Sequence, residues 1–230
     1  MNVSAIIVTR GNVDLDLIYD SLPPEWEVLT WDNGKGECRV LSGWRPEPHP
    51  LGSLHKVRDL SVYGRYAAIE HAAHDLIYVQ DDDVIVSDPS SIVETWVTAT
   101  QDEIVEHRVP DPLEVVVCNM PQEFRHDFYT CHSLVGFGAA FHRDASELAF
   151  DRFWNRASDL EALTKEALRA GALFQRTCDI VFTALTSCLL VDVPKMNLPH
   201  AFGDDRMWRQ PQHQAERARM LDLVMSIKEA

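Results

Sequence analysis

The chain has 230 residues, enough for one good hydrophobic core with a small appended lobe. Its apolar share of 46% and charged share of 25% are those of an ordinary globular protein, and no segment approaches the roughly 20 apolar residues of a membrane span. A formal net charge of −15 disfavours non-specific attraction to nucleic acid or to anionic membranes, although a bound metal or a few arginines can still reverse the field locally for a nucleotide.

Met1 to Val8 lacks the basic start of a signal peptide, and Val3 to Val8 predicts a first strand ending in Thr9-Arg10-Gly11-Asn12. Asp14 to Leu22 has helical spacing at Leu15, Ile18 and Leu22 and stops at Pro23-Pro24. Trp26 to Trp31 predicts a second strand closed by the turn signal Asp32-Asn33-Gly34, and Cys38 to Leu41 a third; the Pro-, Gly- and His-rich stretch from Gly43 to Leu54 is a loop. Val62 to Ala73 predicts an amphipathic helix with Val62, Tyr66, Ile69 and Ala73 on one face, leading into the apolar segment Leu76 to Val79. After a second apolar segment, Val84 to Val86, the pair Asp88-Pro89 marks an N-cap and first turn, and the helix runs to about Arg108 with Ile92, Trp96 and Val97 as core contacts.

The second half is less regular. Leu113 to Val117 is a strand, Pro121 to His132 a polar, aromatic loop, and Leu134 to Phe141 a strand broken by glycines. Glu161 to Ala170 and Ile180 to Leu189 predict helices, Leu190 to Val193 a last strand, Asn197 to His213 a loop, and Gln214 to Lys228 a closing helix. His142-Arg143-Asp144 matches the start of a kinase catalytic loop but lacks its asparagine, so Asp144 reads as a helix cap. Alternating strands and helices argue for one α/β domain over residues 1–230, its parallel sheet covered on both faces. The cysteines Cys38, Cys118, Cys131, Cys178 and Cys188 form no CxxC pair, which favours reduced thiols in a cytoplasmic setting over structural zinc.

The most informative feature is Asp81-Asp82-Asp83, set between the two apolar segments. Adjacent carboxylates repel one another and are costly at the mouth of a buried strand unless a cation neutralises them. Mg²⁺ or Mn²⁺ is the usual solution, because either takes carboxylate oxygen and leaves positions open for phosphate. The plainer alternative is a solvated acidic turn. Ligands of open α/β sheets bind beyond the carboxyl ends of the strands. Three such ends carry polar residues: Thr9-Arg10, Asp32-Asn33 and the triplet. Side chains two apart on an extended segment point the same way, so Asp81 and Asp83 face the crevice together and Asp82 points elsewhere.

The order of first strand, acidic turn, Arg-bearing helix and aspartate cluster resembles a GT-A glycosyltransferase. Tyr63-Gly64-Arg65-Tyr66-Ala67-Ala68-Ile69 through Val79-Gln80-Asp81-Asp82-Asp83 is similar to that family's helix leading into its DxD motif; Gly136 to Phe141 and Cys178 to Phe182 extend the likeness. The resemblance implies a single-domain, Rossmann-like GT-A fold: a mostly parallel central sheet flanked by helices, with a small second sheet on the acceptor side. Residues 1–110 would form the half that binds the nucleotide sugar. Residues 111–230 would form the acceptor-binding half, with a C-terminal lid loop and helix.

The resemblance also implies roles. Thr9 and Arg10 would lie near the nucleotide, Asp32 would contact base or ribose, and Arg65 the nucleobase or diphosphate. Asp81 and Asp82 would belong to the donor site, with Asp81 on the sugar or ribose side. Asp83, with Asp81, would hold the Mn²⁺ or Mg²⁺ that bridges the diphosphate. Gly136, Phe137 and Gly138 would line the acceptor side, with Trp208 as a lid residue. Asp179 would be a catalytic base or an acceptor contact, and His200 would complete the metal site, in competition with His213, Asp204 and Asp205. The expected activity is metal-dependent transfer of a sugar from a UDP- or GDP-sugar to a hydroxyl of a glycan, protein, small molecule or modified nucleic acid. The block at Cys178-Asp179-Ile180 also resembles exostosin-like retaining members, so both stereochemical outcomes stay open.

Each assignment has a plain structural alternative: Arg65 snorkelling from an exposed helix face, Asp32 serving only its turn, Asp179 capping a helix, and Gly136 and Gly138 marking a bulge. A nucleotidyltransferase would share the sheet and the metal logic, but Arg10-Gly11-Asn12 is a thin version of the glycine-rich basic loop it needs. A non-catalytic module that binds a nucleotide or metal is the other rival.

Overall fold

The structure is a computed structural model. It describes residues 1–35, 37–41, 59–101, 111–122, 134–157, 172–204 and 206–229. The expected loops at Gly43 to Leu54 and, for the most part, Pro121 to His132, the helix at Glu161 to Ala170, Cys131, Asp205 and the side chain of Trp208 lie outside the described residues.

The strands are β1 (Val3–Thr9), β2 (Glu27–Asp32), β3 (Glu37–Leu41), β4 (Leu76–Asp81), β5 (Val84–Val86), β6 (Val115–Asn119), β7 (Ala139–His142), β8 (Ser187–Val191) and β9 (Lys195–Asn197). The helices are α1 (Asp16–Ser21), α2 (Gly64–Ala67), α3 (Pro89–Gln101), α4 (Ala145–Ala157), α5 (Ala172–Leu185) and α6 (His213–Glu229). Seven strands form one sheet in the order β3-β2-β1-β4-β7-β6-β8, and β5 pairs antiparallel with β9 in a small second sheet. In the large sheet β1, β2 and β4 are parallel neighbours, β6 and β8 pair parallel, and β3 and β7 run against their neighbours. Five of the seven strands therefore point one way. Among the described residues no helix is long and apolar enough to cross a membrane.

The period of two along a strand explains why the sheet is covered on both faces. On one face, Ile6 and Val8, Ile77 and Val79, Val116 and Cys118, and Phe141 meet Tyr66 of α2, Phe150 and Phe153 of α4, Phe182 of α5 and Met220 of α6. On the other, Ala5 and Ile7, Tyr78, and Val115 and Val117 meet Ile18 of α1 and Ile92, Val93 and Trp96 of α3. Aromatic edges dominate the first face: Tyr66 meets Phe150 at 5.0 Å and Phe141 meets Phe182 at 4.8 Å between ring centroids.

Four expectations need correction. Val62 to Ala73 is not one helix but a 3-10 turn at Ser61–Tyr63, the single turn of α2 and a 3-10 turn at Ala68–His71. The helix and strand expected at Ile180 to Leu189 and Leu190 to Val193 are α5, which begins eight positions earlier, and β8. The glycine-broken strand at Leu134 to Phe141 is a 3-10 turn, Val135–Phe137, followed by β7. The expected loop at Asn197 to His213 contains 3-10 turns at Pro199–Phe202 and Met207–Arg209. Asp88 does cap α3, accepting from the Ser91 amide at 3.2 Å.

Candidate functional site

Register alone brings the three polar strand ends together. Thr9 sits opposite Asp32, and Val8 opposite Asp81, so β1, β2 and β4 end at one level. The next segment over is Val135–Phe137, because Ala139 of β7 pairs with Val79. Buried Asn119 at the end of β6 fixes it there, its Nδ2 donating to the Phe137 carbonyl at 3.1 Å and to the Val193 carbonyl at 3.0 Å. The antiparallel β5–β9 pair then returns the C-terminal segment to the acidic turn, where the Leu198 amide donates to the Asp83 carbonyl at 2.8 Å.

These elements enclose a cavity of about 470 Å³. Thr9 and Arg10 border it from β1, the three aspartates from the turn after β4, and Gly136 and Phe137 from the segment before β7. Asp179 borders it from α5, Arg206 from the C-terminal segment, and His213 and Arg217 from α6. Gly138 does not border it; its φ of +107° makes the turn into β7, a conformation that favours glycine.

All three aspartates reach the cavity, so Asp82 does not point elsewhere as the two-residue period suggested. The strand ends at Asp81, and the turn that follows breaks the alternation. The triplet's charge is met by arginines. Arg65 Nη2 lies 2.5 Å from Asp81 Oδ1, and its Nη1 lies 3.2 Å from Asp179 Oδ2. Arg206 Nη1 lies 2.8 Å from Asp82 Oδ1 and 3.8 Å from Asp83 Oδ2. The site thus holds two arginine-bridged carboxylate pairs.

Arg65 is 1% exposed and does not border the cavity. It neither snorkels from a surface nor presents its guanidinium to a ligand. Burial favours loss of its proton, but the charges of Asp179 and then Asp81 outweigh that, and its pKa is raised. The Tyr66 hydroxyl donates to Asp179 Oδ1 at 2.7 Å, so the aromatic core and the site share one network. Asp179 lies in the middle of α5 and is no helix cap.

Burial, then the nearby charges of Asp83, Asp179 and Asp82, push the Asp81 carboxyl up to about 7 against the pull of Arg65. Burial and Asp82 likewise raise Asp83, opposed by Arg206 and His200. Gly136 packs against this carboxylate so closely that a Cβ would stand 2.0 Å from Asp81 Oδ2. Only glycine lets the backbone pass there.

Two expected ligands are occupied by structural tasks. Asp32 is buried and does not border the cavity; its Oδ1 accepts from the Gly34 amide at 2.9 Å and the Lys35 amide at 3.2 Å. Asn33 borders the cavity in its place. It accepts from the Trp31 indole at 2.8 Å and the Leu60 amide at 3.1 Å, and donates to the Ser61 carbonyl at 2.9 Å. Ser61, also on the cavity wall, takes a φ of 55°, which costs a non-glycine residue about 1–3 kcal/mol. His200 does not border the cavity; its Nε2 lies 2.8 Å from the Asp82 carbonyl and must donate to it. That nitrogen is closed to a cation.

Among the described residues no group of three or more His, Cys, Asp or Glu side chains is arranged to hold a metal ion. The expected set of Asp81, Asp83 and His200 is therefore not assembled as a protein cage. Asp81 and Asp83 alone still suit Mg²⁺ or Mn²⁺, which commonly sits on one or two carboxylates with the remaining positions taken by phosphate and water. Cys38 and Cys178 are buried free thiols; burial raises the pKa of Cys38 to about 12 and also raises that of Cys178.

Arg206, Asn33, Asn119 and Arg217 were not singled out as site residues by the sequence. Arg206 and Arg217 lie in the region read as lid and closing helix, but only the β5–β9 pairing shows which part of that region reaches the triplet. No protein-family model matches the chain, and no curated protein matches its sequence.

Proposed function

We propose that the chain is a GT-A-type glycosyltransferase that takes its sugar from a nucleotide-diphosphate donor. The observation that carries this reading is the meeting of the β1 and β4 carboxyl ends, the acidic turn, the Gly136 segment and Asp179 around one cavity. A cavity of about 470 Å³ falls within the range of small-molecule sites.

In this reading Thr9, Arg10 and Asn33 hold the nucleoside end, and the acidic turn faces the diphosphate. Asp83, with Asp81, would hold a divalent cation, which when bound offsets the growing charge of the leaving diphosphate. The rest belongs to the chain's own side chains. Arg65 holds Asp81 and Asp179 at fixed separation from behind the wall. Asp179 faces the cavity and, with its Arg65 and Tyr66 partners in place, retains acceptor capacity for the proton of an incoming hydroxyl. Phe137 and Phe202 supply apolar surface for a sugar ring.

The internal neutralisation of the triplet by two arginines favours a second reading, a module that binds a nucleotide without turnover. Incubating the protein with Mn²⁺ and UDP- or GDP-sugars, without acceptor, separates the two. The enzyme reading expects slow release of free sugar and nucleoside diphosphate, with Asp179→Asn lowering turnover far more than donor affinity. Binding without any hydrolysis would favour the module, and release of a sugar phosphate together with a nucleoside monophosphate would point to attack at phosphorus, as in nucleotidyl chemistry.

A further inference from the structure

We infer that Arg206 is a tethered cation that occupies the acidic turn until a diphosphate draws it away, so that the divalent cation and the nucleotide enter the site as a coupled pair. The inference rests on the donor-site reading and concerns how that site is opened.

The two arginine-bridged pairs have the same composition but different settings. Arg65, between Asp81 and Asp179, is 1% exposed and does not border the cavity, and its partner Asp179 is held as well by the Tyr66 hydroxyl. It has no route to a ligand. Arg206, between Asp82 and Asp83, keeps 14% of its side chain exposed and borders the cavity. Its Nε donates to the His200 carbonyl at 3.0 Å, a backbone contact within its own C-terminal segment, so the arginine is hinged there and not in the core. Its backbone lies between two single 3-10 turns, Pro199–Phe202 and Met207–Arg209, with no longer helix or strand to hold it.

The chemistry of the pairing follows. A guanidinium at 2.8 Å from Asp82 and 3.8 Å from Asp83 stands where a divalent cation on Asp83 would need the carboxylate free. A metal arriving alone must displace it against a nearby, partly desolvated ion pair. A diphosphate offers the fork-shaped guanidinium a bidentate partner of higher charge. Once Arg206 turns to that phosphate, Asp83 is released toward the cavity and the cation is drawn by carboxylate and phosphate oxygen together. Each ligand then favours the other, although the metal and the arginine compete for the same aspartates.

Two titrations of the folded parent and of Arg206→Gln test this. One uses Mn²⁺ alone, followed by the paramagnetic signal of the free ion. The other uses UDP or GDP without metal, followed by calorimetry. Loss of the latch should tighten Mn²⁺ binding about tenfold, and loss of the phosphate partner should weaken metal-free nucleotide binding about tenfold, a size ordinary for coupled sites. Arg206→Lys keeps the charge and should leave Mn²⁺ affinity near the parent's. Arg209→Gln, which removes a neighbouring exposed cation paired with Asp204, should change neither. Opposed shifts in Arg206→Gln support the latch, because a merely structural arginine would weaken both ligands together. Shifts of the same sign, or failure of either affinity to move, overturn it. If the parent binds neither nucleotide with Mn²⁺ present, the donor-site reading falls and takes this inference with it; if the parent binds and the shifts are not opposed, the latch alone falls.

Discussion

Arg65 decides more of this site than its place in the sequence suggests. Its sequence setting suggests a ligand contact or a surface cation, whereas the side chain is buried and does not border the cavity. The amphipathic pattern from Val62 to Ala73 marks which side of the segment is apolar. It cannot reveal that an arginine on that segment is enclosed, because the enclosing carboxylates come from Asp81 and Asp179, 16 and 114 positions away. The Arg65 charge is therefore integral to the fold. Arg65→Met leaves two buried or half-buried carboxylates without their shared counter-ion, and breaking such a pair typically costs about 3–5 kcal/mol. Urea melts should show that loss, whereas a change below about 1 kcal/mol, the size of an exposed ion pair, would place Arg65 at the surface after all. Asp81, by contrast, was legible. Its adjacency to an apolar strand was enough to predict a charge at the carboxyl end of a strand beside a cavity, and Arg65 meets that charge from behind the wall.

At the scale of elements, the first three strands and α3 were readable because short apolar runs bounded by turn signals, and Asp-Pro at a helix start, are local codes. The region from Ala172 to Val191 was not. The mostly apolar stretch from Ile180 to Leu190, broken only by Thr183, Thr186 and Ser187, has no period that separates helix from strand, and α5 and β8 divide it at Thr186 because β8 pairs with β6. Element α6 carries a test of its own. His213, its buried first residue, has its pKa lowered to about 4, first by burial and then by the charge of Arg217, against a smaller pull from Glu216. The unfolded chain protonates this imidazole near 6.5 and the folded chain does not. Stability from His213 is thus intact above that pH and is lost as the pH falls toward 4. Asp81 acts in the opposite sense: its raised pKa favours the folded state below about 4, and that contribution fades as the pH rises through 7. His213→Gln should remove the first trend, so that denaturant melts of the variant show less loss of stability than the parent as the pH falls from 6.5 to 4. An unchanged pH profile would mean that His213 titrates alike in both states.

Over the whole molecule, the sequence pointed to an α/β sheet with ligand-bearing strand ends, and the parallel β2-β1-β4 core places those ends together. The small second sheet matches the expectation, but which strands form it was beyond reach, because Val84 and its partner Asn197 are more than a hundred positions apart and leave no local signature; the reversal of β7 between β4 and β6 is likewise set by non-local pairing. Yet the β5–β9 pair brings the C-terminal segment, and Arg206 with it, onto the acidic turn. The proposed activity depends on this long-range closure as much as on the triplet itself. The most direct measurement is calorimetric titration of UDP- and GDP-sugars into the parent and into Asp83→Ala, each with and without Mn²⁺. The account predicts that the parent binds at least one nucleotide sugar more tightly with Mn²⁺ present and that Asp83→Ala loses that dependence. A variant that binds as the parent does, or a parent indifferent to every nucleotide sugar offered, would contradict it.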